Sequence, residues 1–410
     1  MISGEEIRES ARQQGLDVNV VEKDYVLGWL LMGIARHPLL GQWVFKGGTC
    51  LKKCFFETYR FSEDLDFTVP QGVVYDAQAY QTALVECAEA VSEEMGIEFP
   101  RKHIEIKESH DKADRLTFQG KVSYRGPLMN KISTPPRIKI DLTQHEVIVE
   151  VPQKRTIHHF YSDEPEPTVK VLCYTVNEIL AEKTRALLER QGRARDLYDV
   201  VNIHRNHREE INVEQALAVL QRKFQFKGLV LPSLAEFIES VDVESLTGSW
   251  KQQLAHQLPV LPPLEAYIDE LRESALLWIE AGKVAVALPT VRVGGDERAV
   301  PRAAFPQLSQ RGLPAGLGKG RGPVGFGGAL EKIRYGARNR LCVEIRYDNV
   351  SRVVEPYSLR TKRTGNLLLY AHELTRGGVQ TGTIKAYMVA DIQSARITEM
   401  PFRPRYAVEL

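Results

Sequence analysis

Two aspartates one residue apart in an otherwise apolar run, DLDFTV at residues 64–69, constrain this chain more than any other feature. Period-two alternation sends Leu65, Phe67 and Val69 to one face of a strand and Asp64 and Asp66 to the other. Two carboxylates on one face call for a cation. At about 3.3 Å of rise per residue they would stand about 6.6 Å apart, which suits a pair of magnesium ions about 3.5–4 Å apart. The preceding stretch, VFKGGTCLKKCFF, reads as a strand, a Gly-Gly turn and a helix from Thr49, with Leu51, Cys54 and Phe55 as its buried stripe. Gly47 and Gly48 let the backbone turn tightly and approach a ligand, and the free N–H groups of the following helix start form a natural phosphate site. Further on, RIKIDLT alternates Ile138, Ile140 and Leu142 with Lys139, Asp141 and Thr143. Asp141 would face the same side as Asp64 and Asp66 if the two strands are neighbours. Each part alone is common. Together they match an arrangement that binds a nucleoside triphosphate through two metals.

The rest of the chain divides by pattern. Residues 171–278 read as helices, with apolar residues at three- and four-residue spacing in NEILAEKTRALLER, RDLYDVVNIHRN, VEQALAVLQRKF, LPSLAEFIESV and LEAYIDELRESALLWIEA. Between Arg292 and Gly328 there are 10 glycines and 4 prolines, the composition of a flexible linker. Its GLGKG is not a P-loop, because Gly320 stands where Ser or Thr must hold magnesium. After it, LCVEIRY, NLLLYAHE, IKAYMV and ARITEM alternate as short strands. The expected domains are an α/β core at 1–170, its helical part at 171–289, the linker at 290–328 and a β domain at 329–410.

The wording KGGTCLKK…RFSEDLDF, with EILAEKTRALLER and RARDLYDVV downstream, resembles the AbiEii-type nucleotidyltransferase toxins, which include the MenT-type enzymes, on the DNA polymerase β-type fold. The likeness runs over roughly residues 15–250. It implies an α+β fold with a helical C-terminal half. It also implies that Ser62, Asp64 and Asp66 form the first catalytic motif and that Gly47, Gly48 and Thr49 form the phosphate-facing turn. Lys183 matches the catalytic lysine and Asp196 the late acidic residue, with Asp199 on the same helical face as an open alternative. In these roles Asp64, Asp66 and Asp141 would hold metal, Asp141 would help ionise the acceptor, Lys183 would counter triphosphate charge, and Asp196 would orient Lys183 or a nearby arginine. Lys46 and Arg60 are further candidate nucleotide-binding cations. The implied substrate is an NTP, the cofactor a magnesium pair, the acceptor RNA with the tRNA 3′ end foremost, and the partner a cognate antitoxin. Such an enzyme would block translation in toxin–antitoxin or phage-defence systems.

Residues 329–410 resemble a WYL domain, a small Sm/SH3-like β-barrel, through Tyr347, Arg352 before VVEP, and the Gly365 turn. Leu367-Leu368-Leu369 replaces the naming tripeptide, and the family's ligand-gripping arginines are not matched in AYMVADIQ. Charge is uneven: residues 290–410 carry 20 Lys and Arg against 10 Asp and Glu, within a chain of net charge +1. A basic module, with Arg360, Lys362 and Arg363 in one loop, suits a polyanion, or else the acidic remainder of the chain. Arg190, Arg193, Arg195, Arg205 and Arg208 would grip an RNA acceptor or pair with nearby acids. His158-His159 and His204-x-x-His207 read as surface histidines, since no further ligands complete a metal set. Five cysteines without a C-x-x-C pair argue against a disulfide framework or zinc ribbon and for reduced structural thiols. The longest apolar run, Val26 to Ala35, is too short for a membrane span, and the acidic start, MISGEEIRES, does not read as a signal peptide, so a cytoplasmic location is expected. Two other readings remain open: nucleotidylation of a small molecule or protein, and a non-catalytic ligand- or nucleic-acid-sensing regulator.

Overall fold

A computed structural model describes residues 1–56, 59–111, 113–129, 135–190, 192–279, 298–299, 328–361 and 365–410. Helices α1 (Gly4–Gln14) and α2 (Val18–Arg36) lead into β1 (Val44–Lys46), the short α3 (Gly47–Cys50), a single π-helical turn (Leu51–Phe55) and β2 (Asp64–Thr68). Helix α4 (Ala77–Met95) follows, then β3 (Ile104–His110), β4 (Leu116–Ser123), β5 (Arg137–Thr143), β6 (Gln153–Thr156) and β7 (Lys170–Cys173). Local signals set these boundaries. The Asp76 side chain accepts from the Ala79 N–H and so caps α4, which ends on Gly96 in the left-handed region.

The seven strands form one mixed sheet in the order β3-β4-β5-β2-β1-β7-β6. Leu65, Phe67, Ile138, Ile140 and Leu142 are buried as the alternation requires, against a core that includes Tyr25, Leu27 and Leu30 of α2. Truncating one of these to Ala would cost about 2–5 kcal/mol. No described helix is long and apolar enough to cross a membrane.

The helical part comprises α5 (Val176–Glu189), α6 (Ala194–His207), α7 (Val213–Phe226), α8 (Leu234–Glu239), α9 (Val243–Leu254) and α10 (Leu264–Ile279). All five expected helices are present, and α9 is additional. The same apolar core runs from α2 and the sheet into α6, α9 and α10.

Most of the expected linker lies outside the described residues. Two residues within it, Arg298–Ala299, form β8 and pair with β10. Helix α11 (Ala329–Asn339), not foreseen in the sequence, precedes β9 (Leu341–Tyr347), β10 (Val350–Thr361), β11 (Leu367–Arg376), β12 (Val379–Met388) and β13 (Ile392–Pro401). These form an antiparallel sheet ordered β12-β11-β10-β9-β13, compatible with a small barrel-like domain, around its own core of Val343, Val354, Tyr357 and Leu369. Arg360 is not in a loop. It lies on β10 and pairs with Glu409, while Lys362 and Arg363 fall outside the described residues.

The histidine reading is corrected. His159 is fully buried beside Tyr25 and Trp29 and bonds Asp163, and His204 and His207 are also buried, because their helix packs on several sides. All five cysteines are free and buried. Cys50, Cys54 and Cys173 converge, with sulfurs within 4.8 Å of one another. Sequence spacing could not show this, since Cys173 reaches the group only through the parallel pairing of β7 with β1.

Candidate active site

The acidic face is built by register. Asp66 stands opposite Lys46 across the antiparallel β1–β2 pair and opposite Asp141 across the parallel β2–β5 pair. Lys46, Asp66 and Asp141 therefore form one row over three strands, with Asp64 two residues along β2 on the same face. Burial pushes the Asp66 carboxyl up to about 6, and Asp141 and Asp64 add to the rise against the pull of Lys46 and Lys183. Asp141 is also raised, by burial and then by Asp64. Three acids share a space that the protein's own cations do not neutralise, which is the electrostatic mark of a cation site.

The glycine turn fits over this row. Gly47 has φ of +79°, and a Cβ on it would meet the Asp66 carboxylate at 2.3 Å. A Cβ on Gly48 would meet the Arg60 guanidinium at 2.3 Å and Ser62 Oγ at 3.3 Å. Both glycines are required by close approach, in addition to the backbone freedom that Gly47 needs. The helix begins at Gly47 rather than Thr49, and the Thr49 hydroxyl donates to the Asp64 carbonyl, tying the turn to the acidic strand. The π-helical turn that follows was invisible to periodicity, and such turns recur at functional sites.

A second cluster lies alongside. Lys183 Nζ is 2.9 Å from Asp196 and 2.8 Å from Asp199, so α5 and α6 meet through this lysine. Burial opposes its charge, but the two carboxylates hold its pKa well above the usual lysine value. Asp199 is fully buried and also receives Arg60 through two bonds of 2.7 Å and the Tyr59 hydroxyl at 2.6 Å. Arg60 and Lys183 outweigh burial and hold Asp199 far below the usual carboxylate range. Among the described residues, Asp196 bonds Lys183 alone of the side chains, and its buried Oδ2 has no partner.

Arg60 is thus not a free phosphate-binding cation. Its remaining terminal nitrogen donates to Gln257 at 3.1 Å and the Phe61 carbonyl at 3.4 Å, and the side chain is 2% exposed. Lys46 is held differently. It lies 3.4 Å from Glu182, which also takes Lys223 at 3.3 Å, while Lys223 reaches Glu178 at 2.8 Å and Glu178 accepts from the Val149 and Glu150 N–H groups. This ladder of alternating charge was not foreseen in the sequence, where the available signal was that Glu182 adjoins Lys183 in AEKTRAL. Of the arginine cluster, Arg205 is taken by Glu270 through two bonds and lies over the Tyr267 ring. Arg195 stays half-buried near Glu63 and Asp64, with its pKa lowered by burial and then by Arg60.

No curated protein matches the chain. Among solved structures, MenT4, a nucleotidyltransferase toxin from Mycobacterium tuberculosis H37Rv, is similar at 16% identity and a TM-score of 0.41, covering 69% of this chain and 91% of that one. The family model for the nucleotidyl transferase AbiEii toxin of type IV toxin–antitoxin systems matches residues 29–274. That span is more than half of the chain and contains the glycine turn, the acidic row, Lys183 and both α6 aspartates, so the protein belongs to the AbiEii nucleotidyltransferase toxin family.

Proposed function

We propose that this enzyme transfers nucleotides from an NTP to RNA, with the tRNA 3′ end as the acceptor, and so blocks translation until a cognate antitoxin restrains it. The observation that carries the transfer chemistry is the Lys46–Asp66–Asp141 row with Asp64 beside it, under a glycine turn that no side chain could occupy. Asp64, Asp66 and Asp141 fit a divalent cation pair because their charges crowd one another. Magnesium there would neutralise phosphate charge and favour in-line displacement.

The chain's own residues do the rest. The turn's N–H groups and Lys46 receive the triphosphate, and Lys183 supplies a positive charge fixed by two carboxylates. The acceptor hydroxyl oxygen forms a bond to the α-phosphorus as the bond to the bridging oxygen breaks and pyrophosphate leaves. Its proton passes to a carboxylate of the acidic row, where the raised pKa of Asp141 suits a base. The basic character of residues 290–410 supports a polyanionic acceptor. The β domain is read as WYL-like, its Arg352 lying against the edge-to-face pair of Tyr347 and Tyr387 and paired with Glu373 at 2.9 Å.

The test uses purified wild-type and Asp66→Ala protein with magnesium, each α-labelled NTP in turn, and total cellular RNA on a denaturing gel. Label entering a tRNA-sized band with wild type only is the expected result. Label in acid-soluble product or in protein would move the acceptor to those classes, and no label with any NTP would reject the reading.

A further inference from the structure

Helix α11 lies beyond the family match, yet it closes a hydrogen-bonded network on the helix that carries both partners of Lys183. Asn339, the last residue of α11, is buried. Its Oδ1 accepts from the Tyr198 hydroxyl at 2.8 Å and from the Tyr267 hydroxyl at 3.1 Å, and its Nδ2 donates to the Tyr335 carbonyl at 3.0 Å. Tyr267 also accepts from Asn202 of α6 at 3.1 Å, and its ring stacks on that of Tyr198 with centroids 5.4 Å apart. At about 100° per residue, the strip of α6 that carries Tyr198 and Asn202 lies about 110° around the helix from the strip that carries Asp196 and Asp199, so the two strips adjoin. The Tyr59 ring, 5.6 Å from Tyr198, spans the two strips and brings its hydroxyl to Asp199. The helix is therefore held on one strip through Asn339 and on the adjoining strip by Lys183 and Arg60.

We infer that Asn339 is a positioning residue for the transfer reaction: the C-terminal module sets the rotation and depth of α6, and through it the placement of Lys183. This rests on the transferase reading above. A buried amide oxygen shared by two buried hydroxyls has no substitute in an apolar residue, so removing it leaves both hydroxyls without that acceptor. The α6 helix would then turn or withdraw to reach other partners. A displacement of Lys183 by a fraction of an ångström to an ångström lowers the rate without abolishing nucleotide binding, because the turn follows β1 and the acidic row is carried by β1, β2 and β5.

The experiment compares full-length wild type, Asn339→Leu, Asn339→Asp and Tyr198→Phe, with kcat and KM for the NTP measured well below each Tm. Asn339→Leu should lower kcat by about ten- to a hundredfold with KM changed by less than about threefold. Asn339→Asp, which keeps an acceptor for both hydroxyls, should retain most of kcat, and Tyr198→Phe should lose less than Asn339→Leu. Hydrogen exchange in 194–207 should quicken in Asn339→Leu while exchange in 64–68 stays as in wild type. A folded Asn339→Leu protein with wild-type kcat and unchanged exchange in α6 would overturn the inference. An inactive wild type would reject the transferase reading instead, and the exchange result would still decide whether Asn339 holds α6. If Asn339→Leu does not fold, the kcat of Tyr198→Phe decides, with a wild-type value counting against the inference.

Discussion

Two groups of aspartates sit on neighbouring elements and are treated in opposite ways. In the acidic row, Asp64, Asp66 and Asp141 face one another with few cations, and Asp66 is pushed up to about 6. On α6, Asp199 meets Arg60, Lys183 and Tyr59 at 2.6–2.8 Å and is held far below the usual range. One group is in charge excess and the other is nearly closed. The difference separates what the fold reserves for a ligand from what it uses to hold itself together, although both are made from the same residue type and both lie in the matched family region.

The largest effect expected from breaking that contrast is on activity. Asp66→Ala should lower transfer by at least about a hundredfold and leave the metal-free Tm equal to or above wild type, since a crowded charge is removed. A clear fall in Tm would place Asp66 with the structural group. Asp199→Ala should do the reverse first: it leaves the buried Arg60 without its carboxylate and Lys183 with Asp196 alone, and should cost about 3–5 kcal/mol in urea unfolding. Activity would fall with it, but the stability loss is the distinguishing measurement.

Acid and base then sharpen the comparison. Asp66 has a folded-state pKa above its unfolded value, so its contribution to stability is full below about 3.8 and is lost as pH rises through about 6. Asp199 is lowered, so its contribution is present above about 3.8 and is lost only on strong acidification. The Tm of wild type minus that of Asp66→Asn, measured in EDTA from pH 4.5 to 7.5, should decline across the window around 6, and added magnesium should reverse the decline. A flat difference would mean that Asp66 is not crowded. Asp196→Asn belongs between the groups. With one side-chain partner and one unpartnered buried oxygen it should cost less than about 1.5 kcal/mol while lowering kcat several-fold, marking Asp196 as the acid that acts through Lys183 and Asp199 as the one that builds the site. At the small end, Arg403→Ala breaks only an exposed pair with Asp269 and should change stability by less than about 0.5 kcal/mol.

The sequence showed the facing of residues well and their neighbours poorly. Alternation in DLDFTV and RIKIDLT was enough to place Asp64, Asp66 and Asp141 outward, because period two depends on the strand alone. The parallel pairing that sets Asp66 against Asp141 depends on everything between them, and was available only as a condition. Arg60 shows the same limit. Its nearness in sequence to Asp64 suggested a phosphate contact, whereas the partner that claims it, Asp199, is 139 residues away. The histidines read as surface residues because no further ligands complete a metal set, and the polarity of a segment does not report how many of its sides are packed. The glycine turn was legible in kind, and the clash with Asp66 that makes Gly47 irreplaceable was not.

The cysteines give the native chain a property that no single pairwise contact conveys: it carries its own reporters of opening. All five thiols are enclosed, so an alkylating reagent can label them only when the surrounding structure parts. Cys342 lies in the β domain, Cys87 on α4, and Cys50, Cys54 and Cys173 beneath the glycine turn. Labelling rates resolved by site would therefore give the opening free energies of three separate regions in unmodified protein, and nucleotide bound at the turn would slow the last group while leaving Cys342 as the internal clock.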